Sequence, residues 1–282
     1  MEVVTKIAPI ALALIMLGLG LGLTGRDFLR VINNPKDFVI GFFCQLLLLP
    51  IVAYILILIL NLPVEIALGI MIIAAAPGGV TTNVMTKFAN GDVALSISLT
   101  AIISLISIIS VPFIILKSAD LLGVTNISAD ITMTAITLKM ALVVTVPVIL
   151  GMIIRKFADN FISSNLSIVN KITTALFVIV FAAIWIEERE NIFNYLKQAG
   201  FAVLVLNVVM MILAYYIAKF FATGMKQRKC IAIECGLQNG TLAVFVATQM
   251  FNDIAYMIPT AAYALIMYLT GFALIFILRR AN

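Results

Sequence analysis

Apolar runs of membrane-spanning length dominate this chain. A helix needs about 20 apolar residues to cross the hydrocarbon core of a bilayer, and seven continuous runs approach or exceed that length. Of the 282 residues, 63% are hydrophobic and only 11% are charged. Because backbone groups in lipid must be hydrogen-bonded within their own segment, the runs predict an all-α integral membrane protein. They are residues 7–24, 37–61, 92–117, 131–155, 167–185, 199–222 and 254–279.

Two further apolar segments, residues 62–89 and 225–250, carry interruptions. The first contains Pro77, Gly78 and Gly79, which are residues that break a helix. Cutting the segment there would leave residues 63–76 as a helix of about 21 Å, which is too short to cross. Each segment is therefore predicted to be one crossing with a break in its middle, which gives nine transmembrane helices.

The basic residues favour the same count. With nine crossings and a cytoplasmic C-terminus, 13 of the 18 Lys and Arg residues fall on the cytoplasmic side and 5 fall outside. This bias follows the positive-inside rule, and ten crossings would largely remove it. We therefore expect a multi-pass protein of the cell's inner (plasma) membrane with its N-terminus outside. The net charge of +5 is assigned to orientation in the bilayer, so no nucleic acid partner is expected.

The order of the crossings forms a pattern. The interrupted segments are the third and the eighth, which is the third helix of each of two units that enter the membrane from opposite sides. The units are residues 7–117 and 167–279, with 131–155 as an extra helix and 156–166 as a cytoplasmic connection. Interrupted helices at matching places in two inverted repeats are typical of secondary transporters.

Polar side chains with oxygen atoms cluster in the interrupted segments and beside them. Carboxylate, amide and hydroxyl oxygens suit a hard cation such as Na⁺, and the N-termini of half-helices suit an anion. An intramembrane carboxylate such as Glu234 is a functional residue by default. Hydroxyls in membrane helices also join helices, at about 0.6 kcal/mol per contact, so both roles stay open for Thr82, Ser96 and Thr100. The remaining polar residues are Gln45, Thr81, Asn83, Ser98, Gln238, Asn239 and Thr241.

Other classes of protein find little support in the sequence. The chain has no histidine, and its three cysteines lack metal-ligand spacing, so we interpret them as unpaired. No HExxH or GxSxG motif and no soluble output domain is present, which argues against a membrane-embedded enzyme or a sensor. We expect no enzymatic activity, no organic cofactor and no obligate protein partner.

Two long motifs resemble the bile acid:sodium symporter family over essentially the whole chain. They are APGGVTTNVMTKFANGDVALSISLT at 76–100 and IECGLQNGTLA at 233–243. The resemblance implies a core domain with two crossed, broken helices and a smaller panel domain packed against it. The core would contain 37–61, 62–89, 92–117, 199–222, 225–250 and 254–279. The panel would contain 7–24, 131–155 and 167–185.

The resemblance also implies three sets of site residues. The first sodium ion would be held by Thr82, Asn83, Ser96, Thr100 and Glu234. The second would be held by Gln45, Glu234, Gln238 and the backbone carbonyls of Cys235 and Leu237. Asn239, with the backbone near Gly79 and Val80, would hold the anionic substrate. Two Na⁺ ions are thus the expected coupling ions.

Three positions depart from the family pattern. Val80 stands where some bacterial members have threonine, and Met267 and Tyr268 stand where bile-acid-binding members carry a more polar pair. These differences fall in the substrate pocket, so a smaller carboxylate such as pantoate or a 2-keto acid competes with bile acid. The leading interpretation is a sodium-coupled importer of an organic anion. The alternatives are a carrier of the same fold that is driven by protons or that exports its substrate.

Overall fold

The computed structural model describes residues 2–33, 35–124, 132–187, 189, 192–251 and 253–280. These residues fold into fourteen α-helices, two π-helical turns and one 3₁₀ turn, and no strand occurs among them. The helices are α1 (Glu2–Gly22), α2 (Gly25–Asn33), α3 (Pro35–Phe43), α4 (Leu49–Leu60), α5 (Val64–Ala75), α6 (Val80–Phe88), α7 (Val93–Leu121), α8 (Met133–Met140), α9 (Val146–Phe157), α10 (Asp159–Glu187), α11 (Ile192–Phe221), α12 (Met225–Gly236), α13 (Gly240–Met250) and α14 (Ile258–Arg280).

Six continuous helical segments in the described part of the chain are long and apolar enough to cross a membrane. A seventh is added if α1 and α2, which meet at a bend of 70°, are counted together. The interrupted segments are not among them, because each of their halves is short. The protein is thus an all-helical, multi-span membrane protein, and the count of nine stays a prediction. The six are Pro35–Leu60, Val93–Leu121, Met133–Phe157, Asp159–Ala183, Ala199–Phe221 and Ile254–Arg279.

Two π-helical turns widen helices that would otherwise be continuous. Cys44–Leu48 joins α3 to α4, and Ala141–Thr145 joins α8 to α9. Each is followed within two residues by a proline, Pro50 in α4 and Pro147 in α9. Proline has no N–H and its ring clashes with the carbonyl four residues earlier, so a wider turn before it relieves the clash.

The predicted breaks lie where the sequence placed them. α5 ends at Ala75 and α6 begins at Val80, with Ala76 and Gly79 in extended backbone conformations. α12 ends at Gly236 and α13 begins at Gly240, with Leu237 extended. Both interrupted segments are buried along most of their length.

Two of the segments between predicted spans add to the sequence-based expectation. The segment 25–33 forms a short amphipathic helix, α2, where only a connection was expected. The connection expected at 156–166 is helical along nearly its whole length, because α9 continues to Phe157 and α10 begins at Asp159; its position on the cytoplasmic side stays a prediction. The polar residues of this stretch therefore lie on the first turns of α10, where Asp159 forms an ion pair of 2.7 Å with Arg155.

A polar network joins α2 to α7 and α12. Asp92 caps α7 by accepting the Leu95 N–H at 3.0 Å. Its other oxygen accepts from the Arg30 guanidinium of α2 at 2.6 Å and from the Gln227 amide of α12 at 2.9 Å. This carboxylate thus ties the start of α7 to α2 and to α12.

The helices pack in two groups. α1 packs mainly on α9 and α10, and the close approach to α9 depends on Gly20 and Gly151, where a Cβ would meet backbone atoms of the other helix. α11 packs on α12 and α14, and α5 packs on α4, α7 and α14. α13 contacts both groups, because it packs on α1 and α10 as well as on α5 and α14.

Candidate functional site

The two breaks lie against each other in the interior. Gly78 and Gln238 form an isolated antiparallel bridge, and the Asn239 N–H donates to the Pro77 carbonyl at 2.7 Å. A Cβ on Gly78 would meet the Glu234 carboxylate and would lie 3.1 Å from the Gln45 amide nitrogen. Glycine is therefore required here because the site's side chains approach the backbone directly.

Glu234 occupies the centre of this region and is fully buried on α12. Its Oε1 accepts a hydrogen bond of 2.6 Å from Thr82 of α6 and another from the Ser96 hydroxyl of α7. Thr100, one turn further along α7, lies 3.2 Å from both carboxylate oxygens. Three hydroxyls from the first interrupted segment and the helix after it thus surround one carboxylate from the second.

Asn83 joins the same cluster through Ser96, whose hydroxyl also lies 2.8 Å from Asn83 Oδ1. Ser96 and Thr100 face Glu234 together because residues four apart lie on one side of a helix. Thr82 comes from the first turn of α6, directly after the break. All five residues expected to form the first cation set are therefore brought together by the fold.

The residues expected for a second cation lie on the other side of Glu234. The Gln45 amide nitrogen is 3.2 Å from the Glu234 carbonyl and 3.5 Å from Gln238 Oε1. The Gln238 amide nitrogen is 3.1 Å from the Cys235 carbonyl. Gln45 Oε1 is buried and has no hydrogen-bond partner among the described residues. Leu237 is fully buried in the break, with its N–H donating to the Ile233 carbonyl at 2.9 Å.

Charge compensation for Glu234 comes from neutral donors. Among the described residues, no Lys or Arg nitrogen lies within ion-pair distance of its carboxylate. Lys229 lies on the same helix and its side chain is only 3% exposed, but it makes no ion pair with Glu234. A buried carboxylate with hydroxyl donors only is a site that attracts a cation.

A small cavity of about 30 Å³ adjoins the breaks. Asn239, Gly79 and Val80 line it, as expected for the substrate set. The Asn239 side chain caps α13 by accepting the Leu242 N–H at 3.0 Å. Helices α6 and α13 both begin at this cavity, and Thr241 Oγ1 beside it is buried with no hydrogen-bond partner in the described part of the chain.

Several residues of the site gave no signal in the sequence. Thr173, Thr174 and Phe177 line the cavity from α10, and Ile15 lines it from α1. These residues are far from both motifs in sequence, and threonine or phenylalanine on a membrane helix is unremarkable. Tyr268 is placed by contacts with the lining, since its hydroxyl is 3.3 Å from Thr81 Oγ1 and its ring packs edge-on against Phe177.

Two fully buried polar side chains behind the second break were also missed. Asn207 of α11 and Tyr263 of α14 both donate to the carbonyl of Gly236, at 2.6 and 3.0 Å. An asparagine inside the apolar run 199–222 is a signal that sequence reasoning could have used, because polar groups at membrane depth are costly.

These features define the class of protein. The two interrupted segments of this helical membrane protein meet at a buried carboxylate, and two helices begin at the cavity beside it. Such an arrangement is typical of the site of a secondary transporter.

Comparison with known proteins gives the family. The profile described as "Sodium Bile acid symporter family" matches residues 9–195. Among similar proteins is the "Uncharacterized sodium-dependent transporter YocS" of Bacillus subtilis, 31% identical over 273 residues that cover 95% of this chain and 81% of that one. The "Probable sodium/metabolite cotransporter BASS2, chloroplastic" of rice (Oryza sativa subsp. japonica) is 28% identical over 270 residues, covering 96% of this chain. The corresponding BASS1 protein of Arabidopsis thaliana is 27% identical, also covering 96%.

The chain belongs to the Sodium Bile acid symporter family. It is a sodium-dependent transporter of that family and not an enzyme. The family match confirms the resemblance drawn from the two sequence motifs. The aligned regions cover only 63% of the rice protein and 66% of the Arabidopsis protein.

Proposed function

We propose that this protein is a sodium-coupled symporter that imports a small organic anion by alternating access. The observation that carries the proposal is Glu234, a buried carboxylate where the two interrupted segments meet. It accepts hydrogen bonds from the hydroxyls of Thr82, Ser96 and Thr100. A fixed negative charge surrounded by neutral oxygen atoms from separate helices suits a monovalent cation that must bind and leave.

The chemistry of the donors supports two sodium ions. Each hydroxyl has one proton and two lone pairs, so it can donate to Glu234 and still offer its oxygen to a cation. Gln45 and Gln238 carry amides whose oxygen and nitrogen exchange places on rotation by about 180°. Such a rotation would present two amide oxygens beside the carbonyls of Glu234 and Cys235. The first and second cation sets named from the resemblance are proposed on this basis.

The lining of the cavity supports an anionic substrate. The first turns of α6 and α13 supply N–H groups without intrahelical partners, and helix N-termini favour negative charge. The side chains lining the cavity include no Lys or Arg among the described residues, so helix ends and the Asn239 and Thr241 groups would hold the anion. The preference for pantoate or a 2-keto acid over bile acid rests on Val80, Met267 and Tyr268, where the chain departs from the family pattern.

Electroneutrality supports the same stoichiometry. Two sodium ions carry two positive charges, and Glu234 together with a monovalent organic anion carries two negative charges. The loaded site is then neutral, and a neutral site is cheaper to move through a low-dielectric interior than a charged one.

The proposed architecture is nine crossings with two crossed, broken helices and inverted repeats, in the plasma membrane with the N-terminus outside. The packing of α1, α9 and α10 as one group supports a panel, and the packing of α11, α12 and α14 supports a core. The cavity borders both groups, as relative movement of core and panel requires. No organic cofactor, nucleic acid or obligate protein partner is proposed.

Uptake into proteoliposomes tests this function. We expect an inward Na⁺ gradient to drive accumulation of radiolabelled pantoate or a 2-keto acid, and an inward K⁺ gradient of equal size to drive none. A proton gradient in sodium-free buffer separates the proton-coupled alternative, and preloaded vesicles separate an exporter. Accumulation driven by protons and indifferent to Na⁺ would overturn the proposal, whereas accumulation of bile acid alone would correct the substrate class.

A further inference from the structure

The carbonyl of Gly236, at the end of α12, is held from outside its helix by two buried side chains. Helix C-termini leave their last carbonyls without intrahelical partners. Here the Asn207 amide donates to the Gly236 carbonyl at 2.6 Å and the Tyr263 hydroxyl donates to it at 3.0 Å. A carbonyl oxygen accepts two hydrogen bonds, so these two donors satisfy it completely. Asn207 and Tyr263 are both fully buried.

The direction of these hydrogen bonds is fixed. A backbone carbonyl can only accept, so Asn207 must turn its amide nitrogen toward Gly236 and its oxygen toward Thr270. The Thr270 hydroxyl donates to that oxygen at 2.6 Å. Three residues from α11 and α14 thus form a polar chain that ends on α12.

The neighbouring carbonyls of α12 point elsewhere. Those of Glu234 and Cys235 face the Gln45 and Gln238 amides, which belong to the second cation set. The carbonyl of Gly236 and the N–H of Leu237 share one rigid peptide plane, and that N–H donates to the Ile233 carbonyl at 2.9 Å. The plane is therefore fixed at both edges, and the carbonyls of Cys235 and Leu237 lie on either side of it.

Glycine makes this external hold necessary. Glycine populates more backbone conformations than any other residue, so the end of α12 has several orientations available. A Cβ at position 236 would lie 2.6 Å from the Met211 sulfur of α11, so a larger residue would require that side chain to move. The same close packing places Asn207 of α11 within reach of the Gly236 carbonyl.

We propose that Asn207 and Tyr263 are positioning residues for the second cation. By holding the Gly236 carbonyl toward α11 and α14, they keep the neighbouring carbonyl of Cys235 directed at the Gln238 amide. They do not touch the cation. This inference rests on the proposed function, since it needs a sodium ion at that place.

The test measures sodium affinity separately from stability. The purified protein is melted in a series of NaCl concentrations with KCl holding the ionic strength constant, and the NaCl concentration that equals the apparent dissociation constant is obtained by fitting the stabilisation to RT ln(1 + [Na⁺]/Kd). Tyr263→Phe removes one neutral donor and keeps the ring, so we expect that concentration to rise about fivefold. Thr270→Val removes the donor to the Asn207 oxygen and so loosens the Asn207 side chain that holds the Gly236 carbonyl, and the same kind of rise is expected. Tyr215→Phe is the matched control and should leave that concentration unchanged, because among the described residues the Tyr215 hydroxyl has one hydrogen-bond partner, the Met225 sulfur at 3.7 Å.

The outcomes separate this inference from the proposed function. A merely structural role would lower the melting temperature in KCl and leave the half-saturating NaCl concentration at the wild-type value, which would overturn the inference alone. If wild type itself shows no stabilisation by NaCl over KCl, the proposed function fails and the inference fails with it. Where Tyr263→Phe does not fold, Thr270→Val decides between the same outcomes.

Discussion

Replacing Glu234 by glutamine isolates the effect of its charge. Glutamine has nearly the same shape and keeps one oxygen. With that oxygen in place of Oε1, it still accepts from Thr82, Ser96 and Thr100. Its nitrogen then replaces Oε2, whose hydrogen-bond partner is Thr100 Oγ1 at 3.2 Å, an atom that can also accept. The variant should therefore fold and insert.

The size of the effect on sodium follows from electrostatics. Two unit charges 4 Å apart interact by about 4 kcal/mol at an effective dielectric constant of about 20. Losing that term weakens sodium binding by about a thousandfold, because each 1.4 kcal/mol is about tenfold. Stability without sodium should change by no more than about 1–2 kcal/mol, since weaker hydrogen bonds are offset by the lower cost of burying a neutral amide.

The assay combines binding of radiolabelled Na⁺ to purified protein with sodium-driven uptake. Glu234→Gln should abolish both, whereas Thr100→Ala removes one neutral ligand and should recover at saturating NaCl after about a fivefold to tenfold loss of affinity. Glu65→Gln makes the same chemical change in the first turn of α5, away from the site, and should behave as wild type. Sodium binding of wild-type strength by Glu234→Gln would refute the reasoning.

Three further predictions test other parts of the structure. Gly78→Ala places a methyl group against the Glu234 carboxylate, so it should remove stabilisation by NaCl in thermal melts, whereas Gly25→Ala, with open space around it, should not. Asp92→Ala removes the cap of α7 and the contacts with Arg30 and Gln227, so it should lower the free energy of unfolding by about 1–3 kcal/mol. Asp120→Ala breaks an exposed ion pair and should lower the free energy of unfolding by less than about 1 kcal/mol. Equal losses in the two variants would contradict this account. A cysteine introduced at Arg189 should react with an impermeant thiol reagent added outside, and one introduced at Lys226 should not. The native cysteines are all buried and should give a low background. Equal reaction at both positions would refute nine crossings.

The positions of most helices could be predicted because lipid imposes simple rules. Apolar length and the need to satisfy the backbone locally give helices directly, and Pro77, Gly78 and Gly79 fix the first break without any tertiary information. The amphipathic α2 was missed because only nine residues carry its pattern. The helical start of α10 was not predicted, because the polar residues at 159–166 indicated only a connection between two spans.

The sites divide in the same way. Glu234 stood out from its own segment, since a carboxylate in an apolar run needs compensation, and the motif around it gave the family. Its grouping with Thr82 and Asn83 depends on two segments about 150 residues apart. No sequence motif marks the cavity wall on α10 or the hydrogen bonds from Asn207 and Tyr263 to the Gly236 carbonyl.

The sequence by itself determined that this chain is a helical membrane protein with two interrupted segments and a buried carboxylate, because these follow from local chemistry and the solvent. Only the tertiary structure decided which hydroxyls reach Glu234, which amides face its carbonyl, and which helices close the cavity. Those contacts are set by packing between helices distant in the chain, and a sodium ligand or a positioning donor is defined by where an atom lies within about an ångström, which residue types alone do not specify.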